Sequence, residues 1–256
     1  MSIFKQFNLS LALLALLPAL ASAQSLSPIQ QRVAEVMAGE HRTPEERARD
    51  EDRDPVAAVE FMGIEDDMTL IEFLPAAQAY YTKILGPIIN DNGHLMVVDT
   101  QGTFDRWGEW REQPEFAMTH PVPIDNNYNR SLGRYEIGDI EFGLPENSAD
   151  KFLYIREYHN YNAEDNARIN AAVMNVLKPG GEYVIIDHTR RHMEPEDGEN
   201  FRREDPVSVI YQVLQAGFEL DRISDMFAQP TDDLSQEVGR IPNMTDRFFL
   251  VFKKPE

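Results

Sequence analysis

The chain contains no cysteine, which excludes a disulfide framework, a thiol nucleophile and any thiolate-ligated metal. Basic residues are scarce: 24 Lys and Arg stand against 44 Asp and Glu, a formal charge of −20 at pH 7. Such a surface repels nucleic acid and anionic lipid, so neither is expected as a partner. Membrane-length apolar runs are missing too. The run Leu11 to Leu17 falls short of the roughly 20 residues a span needs. It lies between Lys5 and the small-residue stretch Ala21-Ser22-Ala23, so residues 1–23 read as an export signal cleaved before Gln24. The expected location is periplasmic or secreted, with no stable membrane insertion after cleavage.

Glycine is absent where it is most expected. The stretch MTLIEFLPAAQAYYTKILGPIINDNGHLMVVD, Met68 to Asp99, reads as strand, helix, strand. Thr69 to Leu74 and His94 to Val98 are short apolar runs suited to strands covered on both faces, and Tyr80, Tyr81, Ile84, Leu85 and Ile88 recur at helical spacing between them. A right-handed βαβ unit of this kind takes a nucleotide-like ligand at its first turn, where helix amides are unpaired and an acid ending the second strand accepts ribose hydroxyls. Here the turn is Pro75-Ala76-Ala77-Gln78-Ala79. Its β-carbons stand where a ligand would approach bare backbone, and alanine resists positive φ.

Residues 24–64 form a helical extension. Ile29, Val33 and Val36-Met37 mark one amphipathic helix; Thr43-Pro44-Glu45-Glu46 and Asp54-Pro55 start others. The run ERARDEDRDP, Glu46 to Pro55, reads as a solvated face held by pairs three and four apart. Its alternative is that one of Arg47, Arg49 and Arg53 folds over a ligand cleft. Residues 65–256 alternate strands and helices. Phe104, Trp107 and Trp110 pack a short helix on the sheet, Pro114 to Arg130 reads as loop, Arg134 to Ile137 as the third strand and Lys151 to Ile155 as the fourth. A helix capped by Asn162 buries Ile169, Ala172, Val173 and Val176; strand five runs Glu182 to Ile186. A helix starting at Asp205-Pro206 buries Ile210, Val213 and Leu214, and Phe218 to Ser224 with Arg247 to Phe252 are the closing strands. Thr189 to Glu204 is a charged loop and Ala228 to Asp246 a candidate lid.

This order of elements, with the turns Leu177-Lys178-Pro179-Gly180-Gly181 and Ala216-Gly217-Phe218, resembles a class I S-adenosylmethionine-dependent methyltransferase. Arg47 to Asp54, Tyr80-Tyr81-Thr82, Tyr158-His159-Asn160, Asp187-His188 and Asp205-Pro206 resemble, more narrowly, a family of exported (periplasmic) predicted methyltransferases, with the glycine-rich motif degenerate. The resemblance covers nearly all of the chain after residue 23. It implies an α/β, Rossmann-like sheet of seven strands, strand seven antiparallel beside strand five, preceded by N-terminal helices. It implies S-adenosyl-L-methionine as cofactor, lying across the carboxyl ends of strands one to four. Glu72 matches the acid near its methionine end, Asp99 the ribose-binding acid, and Asp139, less closely Glu141, the group reading the adenine amine; Pro75 and Ala77 belong to the cofactor turn.

His159 and His188 end neighbouring strands and titrate near neutrality, so both are base candidates, with Tyr158, Asn160 and Asp187 to orient them. No Asn-Pro-Pro-Tyr motif follows strand four, which argues against nucleobase amines and for a small-molecule acceptor. Two alternatives stand beside the transferase. One is a zinc-like site built on His188 and His192, four residues apart, with Asp187 adjacent, although no residue is assigned as a metal ligand. The other is a catalytically inactive binding protein that kept the fold.

Overall fold

The computed structural model describes residues 25–89, 92–131 and 133–256. The export-signal expectation for residues 1–23 lies outside the described residues. Among the described residues no helix is long and apolar enough to cross a membrane.

Four helices come first: α1 (Pro28–Met37), α2 (Pro44–Arg47), α3 (Asp50–Arg53) and α4 (Pro55–Phe61). Proline opens α1, α2 and α4, where its missing N–H costs nothing. Ser27 and Thr43 close capping boxes with Gln30 and Glu46. The strands and helices that follow are β1 (Thr69–Phe73), α5 (Thr82–Leu85), β2 (His94–Asp99), α6 (Gln101–Phe104), β3 (Thr119–Pro123), β4 (Asn126–Asn129), β5 (Arg134–Ile137) and β6 (Ala149–Ile155). Then come α7 (Ala163–Val176), β7 (Leu177–His188), α8 (Pro206–Gln215), β8 (Glu219–Ser224) and β9 (Arg247–Lys253).

Seven strands form one sheet in the order β3-β2-β1-β6-β7-β9-β8, with β9 antiparallel to both neighbours and the remaining pairs parallel. The expected seven-stranded Rossmann-like sheet with its last strand reversed is therefore present. Alternate residues feed two apolar layers. Leu70, Leu95, Val97, Leu153, Val184 and Val251 pack under α1, α4 and α5, while Ile71, Phe73, Val98, Phe152, Tyr183 and Phe252 pack under α7 and α8.

Two sequence expectations are corrected. The third strand of the sheet is β3, inside the stretch read as loop; β4 and β5 form a separate antiparallel hairpin. Pro121 and Pro123 disguised β3, and they are tolerated because β3 is an edge strand with β2 as its sole neighbour in the sheet. On α8, Val209 and Val213 are the buried residues, Ile210 is half-buried, and Leu214 is exposed.

The buried face of α7 is not purely apolar. Asn170 donates to the Tyr158 hydroxyl (3.1 Å) and accepts from the Tyr183 hydroxyl (2.9 Å), while Tyr158 donates on to Gln212 (3.0 Å). All three of Asn170, Tyr158 and Tyr183 are fully buried. Asn170→Ala would strand the Tyr183 hydroxyl in the core, take one bond from the Tyr158 hydroxyl and leave a cavity, so urea denaturation should show a loss of about 2–4 kcal/mol.

Candidate functional site

The turn after β1 adopts backbone angles that favour glycine, without a glycine in it. Leu74 (φ 59°), Ala76 (φ 59°) and Ala79 (φ 49°) all occupy the left-handed region, each at a cost of about 1–2 kcal/mol for a residue bearing a β-carbon. The turn is fastened to the end of β2. Asp99 Oδ2 accepts from the Ala76 amide at 3.1 Å, and Oδ1 accepts from the Thr100 amide (2.6 Å) and the Thr103 hydroxyl (2.8 Å). One acceptor position remains on Oδ2. On β1, Glu72 is buried and accepts from the Thr82 hydroxyl at 2.6 Å. Burial pushes its carboxyl up to about 7, against the hydrogen bonds from Thr82.

Beside this turn lies a cavity of about 570 Å³ at the carboxyl ends of β1, β6 and β7. Its walls include Glu72, Pro75, Ala76, Gln78, Glu157 and His159, and the β4–β5 hairpin adds Tyr128 and Tyr135. Phe201, Arg202 and Val238 come from the two long loops. Those loops are fastened together by fully buried Arg203, whose Nη1 and Nη2 reach Asp232 at 2.9 and 3.1 Å and whose Nε reaches the Gln236 carbonyl at 2.8 Å. The Ala228 to Asp246 segment thus carries a wall residue on an anchored frame. Backbone strain gathers at the cavity: Leu74, Ala76, Arg156 and Arg202 line it with positive φ, the kind of stored strain found at functional sites.

Asp187 sets the state of the histidines. It is fully buried, its Oδ1 accepts from His159 Nδ1 (2.7 Å) and the His188 amide (2.7 Å), and its Oδ2 accepts from the His159 amide (2.9 Å). The bond from Nδ1 fixes the tautomer and leaves Nε2 of His159 as the free ring nitrogen. Burial opposes a charge on His159, but the Asp187 carboxylate outweighs it and raises the imidazole above its ordinary value. His188 goes the other way. Burial first, then the neighbouring Arg156 and His159, drive it well below the ordinary value. It stays neutral and accepts from Arg156 Nε at 3.0 Å. The two rings lie 6.0 Å apart between centroids.

Of the residues singled out from the sequence, Glu72, Pro75, His159, His188 and Asn160 line this cavity; Asn160 donates to Glu157 at 2.6 Å. Tyr158 does not: its ring is in the core beneath α7, so it leaves the candidate catalytic set. Ala77 is not on the wall either, whereas its neighbours Ala76 and Gln78 are. Asp139 lines a second hollow, of about 670 Å³, with Thr100, Gln101, Pro123, Asp125 and Glu141. It follows the hairpin rather than the third strand, but the Gly138 amide donates to the Asp125 carbonyl at 2.9 Å and brings the two acids together. His192 pairs with Asp205 (2.9 Å) outside the cavity, and among the described residues no group of three or more His, Asp or Glu is arranged to hold a metal.

The run ERARDEDRDP is a solvated face only in part: Arg47, Ala48, Glu51 and Asp54 are exposed, and the other charged residues turn inward. Asp50 takes a bidentate pair from Arg42 (2.9 and 2.5 Å) and the Tyr80 hydroxyl (2.6 Å), Asp52 pairs with Arg247 of β9 (2.7 Å), and Glu46 pairs with Lys83. With Glu46, Asp50 and Asp52 turned to the protein, the segment turns Arg49 and Arg53 to the cavity, in line with the alternative that arginines of this run reach a ligand cleft. Sequence reasoning gave no role to Arg156 or Glu157; the signal available was the polar and aromatic cluster Arg156-Glu157-Tyr158-His159-Asn160-Tyr161 after β6.

No family model matches the chain, and no curated protein matches it. Solved structures do. A SAM-dependent methyltransferase from Aquifex aeolicus is similar with a TM-score of 0.57 at 16% identity, over 88% of this chain and 98% of that one. The cyclase SpnF gives 0.57 at 12% identity over 80% of each chain. Human N-acetylserotonin methyltransferase, solved in complex with SAM, gives 0.52 at 12% identity over 88% of this chain and 56% of that one. The chain has the Rossmann-like class I methyltransferase fold. That a cyclase shares it illustrates that the fold does not dictate the reaction.

Two outcomes are expected at the turn and at Glu72. Ala76→Gly should relieve left-handed strain and stabilise the protein by about 1 kcal/mol in urea denaturation. Glu72 has a folded value near 7 against an ordinary 4.5, so its contribution is full below the unfolded value and is lost as pH rises through 7. Glu72→Gln, still able to accept from Thr82, should match the wild type near pH 4.5 and exceed its stability at pH 8 by up to about 3 kcal/mol. Denaturation curves at the two pH values check the difference.

Proposed function

We propose that the protein is an exported class I methyltransferase that uses S-adenosyl-L-methionine to methylate a small-molecule acceptor in a periplasmic or extracellular space. The observation that carries this reading is the cavity beside the β1 turn, open next to Gln78 and flanked by the buried acid Glu72 and by His159 held on Asp187. The export part rests on the sequence of residues 1–23.

The residues fit such a cofactor. Glu72 would face its methionine end and the hollow at Thr100, Asp125 and Asp139 would take the adenine; Asp99, which is on the wall of neither but is bonded to Ala76 of the cavity and Thr100 of the hollow, would offer its remaining acceptor position to a ribose hydroxyl. When bound, the cofactor supplies a sulfonium methyl whose carbon–sulfur bond breaks with the electron pair left on sulfur. The protein aligns an acceptor oxygen or nitrogen behind that methyl and excludes water, which supplies most of the rate in a displacement of this kind. His159 Nε2 takes the proton that the acceptor loses as its new bond to carbon forms. Asp187 holds the ring in the required tautomer and stabilises the imidazolium. His188, neutral, keeps Arg156 in place.

A second reading, a binding protein of the same fold without transfer, is favoured by the hold of the turn on Asp99, three of whose four acceptor positions are taken. Calorimetry on the purified chain separates the two. Under the transferase reading both S-adenosylmethionine and S-adenosylhomocysteine bind one to one, Asp99→Asn weakens both by about tenfold, roughly 1.4 kcal/mol, and His159→Gln leaves both affinities unchanged. Absence of heat with either compound removes the transferase reading.

A further inference from the structure

Three guanidinium groups face the cavity with no carboxylate partner, in a protein whose other buried arginines are paired. Arg42, Arg203 and Arg247 each hold an aspartate through two nitrogens. Arg49, Arg53 and Arg156 hold none among the described residues, and all three line the cavity. Arg53 is 7% exposed and its Nε has no hydrogen-bond partner. Its guanidinium carbon sits 4.4 Å from the centre of the Tyr80 ring, and that of Arg49 sits 5.5 Å from the same centre. Arg156 spends its Nε on His188, which leaves its terminal nitrogens without a partner.

This is an expensive arrangement. A buried cation without a counter-ion is destabilising, and the groups repel one another: burial first, then Arg156, push Arg53 down to about 9. The acids on the wall give little relief, since burial also pushes Glu72 and Glu157 up to about 7. In a chain of formal charge −20, countercharge is abundant, and it has been directed elsewhere: Asp50 and Asp52 flank Arg49 and Arg53 in sequence and bind Arg42 and Arg247 instead. Planar guanidinium forks match carboxylate and phosphate oxygens in pairs.

Building on the transferase reading of this cavity, we infer that the methyl acceptor is an acidic small molecule whose carboxylate or phosphate is gripped by Arg53 and Arg156, with Arg49 closing over it beside Tyr80. The acid fixes the acceptor near His159, and its negative charge lowers the positive potential against which a sulfonium must enter. Acid and cofactor therefore bind with positive coupling.

Calorimetry with inorganic phosphate and, separately, succinate tests the site on the full chain, and which of the two binds tells phosphate from carboxylate. One of them should bind one to one. Arg53→Gln and Arg49→Gln should each weaken it at least tenfold, while exposed Arg32→Gln on α1 should not. Arg49→Gln, which removes a half-buried group with no hydrogen bond, keeps the test open should Arg53→Gln not fold. Saturating anion should also tighten S-adenosylmethionine binding several-fold. The proposal fails if neither anion binds, or if the variants bind as the wild type does. It also fails if they weaken S-adenosylhomocysteine tenfold and spare 5′-methylthioadenosine, which lacks the amino-acid carboxylate; the arginines would then serve the cofactor. Anion binding without any cofactor binding would retire the transferase and leave an acid-binding cavity.

Discussion

The site depends on a set of buried ion pairs that press a short, charged segment onto the first crossover of the sheet. α2 and α3 are single turns of four residues each, far too short to persist by helical propensity. They are held by Asp50 on Arg42 and Tyr80, Asp52 on Arg247, and Glu46 on Lys83. Buried pairs of this type contribute little against apolar packing of the same volume, yet breaking one leaves a charge stranded at a cost of about 3–5 kcal/mol. Their consequence here is placement. Because Glu46, Asp50 and Asp52 are committed to the body of the protein, Arg49 and Arg53 are left to face the cavity, while Arg47 turns to the backbone carbonyls of Arg42 and Gly39.

A second commitment, at Asp187, divides two histidines that look equivalent in sequence. One carboxylate, fully buried, orders both strand ends by accepting two amides and one ring nitrogen. His159 acquires a charge-stabilising partner and an unencumbered Nε2, and His188 acquires cationic neighbours. The same side chain type thus holds a proton more readily in one place and is a neutral prop for Arg156 in the other. The strained residues at the cavity, Leu74, Ala76 and Arg156, belong to the same economy of position, since their left-handed backbone turns chain ends inward.

Much of the fold was legible. Apolar runs ending at Leu74, Val98, Ile155 and Ile186 marked β1, β2, β6 and β7 to within two residues of where they end, and Thr43, Asn162 and Asp205 marked helix starts. The reversed last strand came from a resemblance and is present in the sheet. What stayed hidden did so for physical reasons. β3 carries two prolines and pairs on one side only, so its pattern is that of a loop. Asn166 and Asn170 sit on the buried stripe of α7 because three tyrosine hydroxyls need partners there, and periodicity counts only apolar residues. The run around Arg49 and Arg53 read first as a solvated face, with an arginine over a ligand cleft as the alternative, because the partners that claim its acids, Arg42, Lys83 and Arg247, come from outside the run, Arg247 from far along the chain. Tyr158 stood next to His159 in the chain, but after β6 the backbone turns, and the two side chains part company.

The pair between Asp52 and Arg247 joins positions 195 residues apart. A nascent chain emerging amino end first therefore exposes its arginine-bearing segment long before the strand that will pin it exists. Until β9 inserts between β7 and β8, that segment is held by Asp50 on Arg42 and Tyr80 and by Glu46 on Lys83 alone, and the Asp52 pin is the last of its ties to form. Long-range closure of this sort slows folding, and it couples the completeness of the polypeptide to the assembly of its cleft: a molecule interrupted between β8 and Arg247 would carry six of the seven strands and lack the Asp52 pin.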